Sequence, residues 1–160
     1  MPSHLAGYVH PVKGLDAVAD AFSTTVYSDV ASAKGCHSVT FLLHKGVGAT
    51  GTSTVTVLAG SDNADPPTAS TAIPFRYKPI LSSDTEGAYT DATAAGFTTT
   101  AGSSQLYLIE VDGEQLAKAG YYFVCLKCVE VVDSPVLGGI IILMNHGGRY
   151  SQDIPTSVLS

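Results

Sequence analysis

The residues with the most chemical reach are three cysteines, five histidines and a few loop carboxylates, so their spacing decides what chemistry is open to the chain. Cys125 and Cys128 form a C-x-x-C inside YYFVCLKCVEVV, a run of β-branched and aromatic residues that predicts a strand. Three strand steps put their α-carbons about 10 Å apart, with side chains on opposite faces. A disulfide needs α-carbons within about 7 Å. Three buried free thiols are therefore expected, Cys36 being the third. Structural zinc requires four converging ligands, and Cys36-His37, His44 and His146 supply no second pair at ligand spacing.

The stretch GVGATG, with Gly46, Gly48 and Gly51, satisfies G-x-G-x-x-G. Pyrophosphate binding needs a helix N-terminus after those glycines, whereas here a Thr/Val-alternating strand follows. A glycine-rich hairpin loop is expected instead. No G-x-S-x-G is present, no cysteine opens a helix, and His4, His10, His37, His44 and His146 lack a recognisable partner. Asp62, Asn63, Asp65 and Asp84 fall in loops without the alternating spacing of a calcium loop, where turn formation explains them. These readings lead to no catalytic residue, no cofactor and no metal.

The bulk numbers agree with a non-enzymatic role. Charged residues make up 14% of the chain, against roughly 25% in ordinary soluble domains, and Thr, Ser, Gly and Ala replace them. The net charge of −6 and eight scattered basic residues speak against a nucleic-acid surface. No basic amphipathic helix offers itself to a membrane, and the opening MPSHLAGYVHPVKG lacks a signal-peptide apolar region, so synthesis in a cytoplasm is expected. A chain of 160 residues fits one domain.

The elements follow from periodicity. Residues 22–30 read as a first strand; residues 37–45 alternate Val39, Phe41 and Leu43 against Ser38 and Thr40. Residues 53–59 alternate Val55, Val57 and Ala59 with threonines, and the two runs are predicted to form a hairpin across GVGATG. One half-exposed strand is expected over 73–78, near a sheet edge because of Pro74. A helical turn is expected between Thr90 or Asp91 and Gly96, and a short strand at 97–100. The run 105–111 puts Tyr107, Ile109 and Val111 on one side. DGEQLAKAG, residues 112–120, is the clearest helix, capped by Asp112 and closed by Gly120. The two apolar runs on either side of Asp133-Ser134-Pro135 predict a central hairpin. In its second arm, 137–144, both parities are apolar, so neither face expects water.

The predicted architecture is all-β: a β-sandwich of jelly-roll type with one short helix and an extended N-terminal arm. Its divisions are the arm at 1–21, the sandwich at 22–146 and a polar tail at 147–160. The apolar excess predicts contacts with copies of the chain, as a homo-oligomer, or with a larger assembly. Candidate contact residues are Leu5, Tyr8, Val9 and Pro11 of the arm, and Ile140, Ile142 and Met144 of the last strand.

Five stretches carry a resemblance: HKGVGATGTSTVTVLAGSDN, IPFRYKPI, AAGFTTTAG, LYLIEVDGEQLAKAGYYF and EVVDSPVLGGIIILMNHGGRY. Together, over His44 to Tyr150, they resemble structural proteins encoded among the head genes of tailed bacteriophages. The resemblance implies a small virion protein, a decoration or cement protein on the outer capsid surface that binds major capsid subunits. It transfers no functional residues position by position. The alternative it leaves open is a glycan- or host-binding module of a head fibre or tail.

Overall fold

The computed structural model describes residues 5–46, 50–81, 85–146 and 158–159. In chain order the strands are β1 (Val9–Val18), β2 (Thr25–Tyr27), β3 (Val30–Ser32), β4 (Ser38–Lys45), β5 (Thr52–Gly60), β6 (Thr71–Ile73) and β7 (Phe75–Ile80). They continue with β8 (Thr90–Ala92), β9 (Phe97–Thr98), β10 (Gln105–Asp112), β11 (Phe123–Val132), β12 (Gly138–Asn145) and β13 (Val158–Leu159). Helix α1 (Gly113–Lys118) lies between β10 and β11, and a single 3-10 turn, Leu5–Gly7, precedes β1.

Two antiparallel sheets face each other. The first has the order β1-β12-β4-β10-β7-β8, and the second β13-β3-β11-β5-β6, with β2 also on β11 and β9 also on β5. The pairing is nested: β1 with β12, β3 with β11, β4 with β10, β5 with β6. Successive nested pairs alternate between the sheets, as in a long antiparallel ribbon wound into a barrel-like sandwich. That is the jelly-roll arrangement, and it confirms the all-β expectation.

The core lies between the sheets because each strand alternates. Val39, Phe41 and Leu43 of β4, Tyr107, Ile109 and Val111 of β10, and Ile140, Ile142 and Met144 of β12 point inward and are buried. Val55, Val57 and Ala59 of β5 meet them from the other side, with Val124, Leu126 and Cys128 of β11. At one end the aromatic side chains join in. Tyr77 stacks on Phe97 with centroids 3.9 Å apart, and the Tyr107 hydroxyl donates to Gln105 at 3.0 Å.

Helix α1 follows its expected caps. The Asp112 carboxylate accepts from the Glu114 and Gln115 N–H groups, and Gly120 takes the left-handed φ of 78° that ends the turn. Leu116 is its buried anchor.

Several sequence expectations are corrected. The runs before and after Asp133-Ser134-Pro135 do not pair: β11 and β12 belong to different sheets, and the Pro-containing segment crosses between them. Likewise β4 and β5 are not a hairpin, since they belong to different sheets; residues 47–49 of the glycine-rich stretch lie outside the described residues. The single strand expected at 73–78 is split by Pro74 into β6 in the second sheet and β7 in the first. The turn expected at Thr90–Gly96 begins instead with strand β8. The first strand expected over 22–30 is two short pieces, β2 and β3, divided at Ser28, whose hydroxyl accepts from the Leu126 N–H.

The segment read as an extended arm is extended, but it is not separate. Val9 to Lys13 of β1 pair with Asn145 to Ile141 of β12, making β1 an edge strand of the sandwich. Gly14 lets this strand lie close: a Cβ there would meet Ile142 Cγ1 at 2.8 Å. Of the tail expected at 147–160, only β13 falls within the described residues, and it pairs with β3.

Candidate functional site

Among the described residues, Cys36 is brought near a histidine. Its Sγ lies 3.7 Å from His146 Nδ1, 110 residues along the chain, and 3.6 Å from the Ser32 carbonyl, to which the thiol can donate. The β3–β4 turn places Cys36, and the end of β12 places His146. Burial pushes the Cys36 thiol up to about 11, so at neutral pH it is a thiol and not a thiolate nucleophile. His146 Nε2 is buried without a hydrogen-bond partner among the described residues. An adjoining cavity of about 460 Å³ is lined also by His37, Glu114, Tyr121 and Tyr122. Spacing along the sequence gave no sign of this pair, because the two residues meet only through the β12–β4 ladder.

Cys125 and Cys128 occupy opposite faces of β11, as their odd spacing requires. Both are free and buried, and desolvation raises each to about 12. Among the described residues no group of three or more Cys, His, Asp or Glu is placed to hold a metal ion. The Asp62 carboxylate is turned onto its own loop, accepting from the Ala64, Thr68 and Ala69 N–H groups. These bonds hold it below the usual carboxylate range and explain it as a turn former.

A polar groove of about 480 Å³ opens where β7, β8 and β10 meet the start of α1. Arg76, Asp91, Glu110, Asp112 and Gln115 line it. Arg76 donates twice to Glu110 Oε2, at 3.0 and 2.8 Å. The exposed Tyr89 ring sits beside it, 5.0 Å from the Arg76 guanidinium and 5.1 Å from Lys78 Nζ.

The apolar surface is organised in two places. At the end of the sandwich where β11 crosses to β12, Val131, Val132 and Leu137 are 43–57% exposed. Val18 joins them, since its Cα pairs with Gly138. Backbone bonds brace this end: Gly46 N–H donates to the Leu137 carbonyl at 2.6 Å and Ala21 N–H to the Val136 carbonyl at 3.0 Å.

The second place is the outer side of the first sheet. Register sets Lys13, Ile141, Leu42, Leu108 and Lys78 in one row across five strands. Leu143 and Leu106 flank it in neighbouring rows. Ile141 is 49% exposed. The outer side of the second sheet is mixed, carrying Thr25, Thr52, Thr54, Thr56 and Thr98 together with Leu58, Phe123, Cys125 and Val129, which alternate with the inward residues of β5 and β11.

This geometry changes the list of candidate contacts. Ile140, Ile142 and Met144 face the core and are at most 1% exposed, so they cannot meet a partner while the sandwich is folded. The outward residues of that strand are Ile141 and Leu143, one position away, because the side-chain period is two. Leu5 and Tyr8 are exposed at the other end of the molecule, beside His146, whose N–H donates to the Tyr8 carbonyl. Val9 is half-buried and Pro11 exposed, both fixed in the β1–β12 ladder. The sequence missed Val18, Val131, Val132 and Leu137, although each ends an apolar strand beside a polar turn. No protein-family model, curated protein or solved structure matches the chain.

Proposed function

We propose that this chain is a structural virion protein that decorates and stabilises a tailed-bacteriophage capsid by binding major capsid subunits. The observation carrying this reading is the exposed aliphatic end formed by Val18, Val131, Val132 and Leu137 on a braced two-sheet frame. Fully burying four half-exposed aliphatic side chains contributes on the order of 4 kcal/mol before the cost of association. A low-charge, hydroxyl-rich surface suits the crowded outside of a shell, and the phage-head resemblance of residues 44–150 points the same way.

The test is co-sedimentation of the purified chain with shells assembled from tailed-phage major capsid protein. Val131→Asp and Leu137→Asp should each reduce occupancy at least tenfold while leaving the circular dichroism spectrum unchanged. Wild-type protein that stays in the supernatant contradicts the reading.

A second reading, a glycan-binding module of a head fibre or tail, is favoured by the Tyr89 ring beside the polar groove of Arg76, Asp91 and Glu110. An aromatic face next to paired donors and acceptors is what a sugar ring stacks on. Silence on a glycan array removes it.

A further inference from the structure

We infer, on the glycan-binding reading and not on the shell reading, that the groove where β7, β8 and β10 meet takes a neutral pyranose through adjacent hydroxyls and turns acidic sugars away.

The groove follows from one proline. The β10–β7 ladder runs from Leu106 and Ile80 to Glu110 and Arg76 and stops there. Pro74 has no N–H to continue it, and the chain leaves for β6 in the second sheet. Val111 and Asp112 are left without a β7 partner, and a space of about 480 Å³ opens beside them. That volume lies in the range of small-molecule sites, roughly 300–1,000 Å³. Phe75 and Ala92, opposite each other across the β7–β8 ladder and both buried, give it an apolar wall under a polar rim. A sugar ring has the same two-sided character, with C–H groups on its faces and hydroxyls round its edge.

One lining group asks for a ligand. Ser38 is 7% exposed, yet its hydroxyl has no hydrogen-bond partner among the described residues. It lines the groove and sits directly across the β4–β10 ladder from Asp112. A hydroxyl so withdrawn from water has lost much of its hydration and gains from a ligand group that bonds to it.

Charge selects the class. Cross-strand register places Glu110, Arg76 and Asp91 in one row, with the guanidinium in the middle. Arg76 is committed to Glu110, whereas Asp91 and Asp112 form no ion pair among the described residues. With His37 neutral, the lining holds three carboxylates against one guanidinium, a net −2 (1 − 3), in a chain whose own charge is −6. A sugar carboxylate is repelled there. Neutral hydroxyls are not: they donate to Asp91 and Asp112 and accept from Ser38 and Gln115.

The experiment titrates the full chain with the methyl glycosides of glucose, galactose and mannose and with the matching uronates, followed by saturation-transfer NMR and by backbone amide shifts. At least one neutral glycoside should bind with a dissociation constant on the order of millimolar and move the amide signals of Asp91 and Asp112. Its uronate, the same ring with a carboxylate added, should bind at least about tenfold more weakly. Ser38→Ala and Asp91→Asn should each weaken the neutral sugar about tenfold with an unchanged circular dichroism spectrum, and Thr54→Ala, on the opposite sheet, should leave it unchanged. Uronates that bind as well as the neutral glycosides, or neutral binding indifferent to both groove variants, overturn the inference while the glycan reading stands. A chain that binds no saccharide removes both.

Discussion

At the residue scale, parity along β12 separates fold from contact. Ile142 is fully buried against β4 and β1, while its neighbour Ile141 is 49% exposed. Ile142→Ala should therefore lower unfolding free energy by about 3 kcal/mol through lost transfer and a residual cavity, and Ile141→Ala by less than about 1 kcal/mol. Urea denaturation of both variants measures it; equal losses would mean that the strand is assigned to the wrong register. The sequence could name the strand but not its parity, since residues 137–144 are apolar at odd and even positions alike. Inward direction was decided by the neighbours Phe41 and Tyr107, which no local window contains.

The cysteines give a second residue-scale expectation. Burial raises Cys36 to about 11 and Cys125 and Cys128 to about 12, from an ordinary value of 9.0. A raised folded pKa means the folded state keeps protons that the unfolded chain releases. The contribution of these thiols is thus complete below pH 9, and stability falls as pH climbs from 9 toward 11–12. The melting temperature should drop through this window more steeply in the wild type than in a Cys125→Ala/Cys128→Ala variant. Parallel slopes would show that the thiols are not buried as described. That these residues are free thiols on opposite faces was legible from the odd spacing alone. The Cys36–His146 approach was not, because it joins positions 110 residues apart.

At the element scale, β1 shows how an extended segment with apolar residues becomes part of a sheet. Val12 packs on the core and residues 9–13 pair with β12, so deletion through Lys13 removes an edge strand and not a detachable arm. Deletion of residues 1–7 should leave the melting temperature within a degree or two. Deletion through Lys13 should cost on the order of 3 kcal/mol, from the exposed apolar surface and the lost ladder bonds. Thermal melts of the two truncations distinguish these outcomes, and equal stability would return the segment to the status of a loose arm. Strand existence was legible from alternation in β4, β5 and β10, and α1 from its Asp112 and Gly120 caps. Strand partnership was not: alternation looks the same whether the next strand lies alongside or across the core, so both expected hairpins were crossovers.

At the scale of the molecule, nested pairing explains why the crossovers matter. Each turn that passes between sheets lies at an end of the sandwich, and such ends gather residues distant in sequence. The β11–β12 crossover thereby leaves Leu137 next to Gly138, the partner of Val18, with Val131 and Val132 exposed at the end of β11 that leads into it. Composition foretold a sparsely charged all-β molecule, but the location of its exposed aliphatic surface required the topology. The measurement that bears most directly on the proposed role is occupancy on capsid shells, read by co-sedimentation and then by imaging of the decorated particles. The account predicts saturable, regularly spaced binding that Leu137→Asp abolishes in a folded protein. Undecorated shells, or decoration that Leu137→Asp and Val131→Asp leave intact, would contradict it.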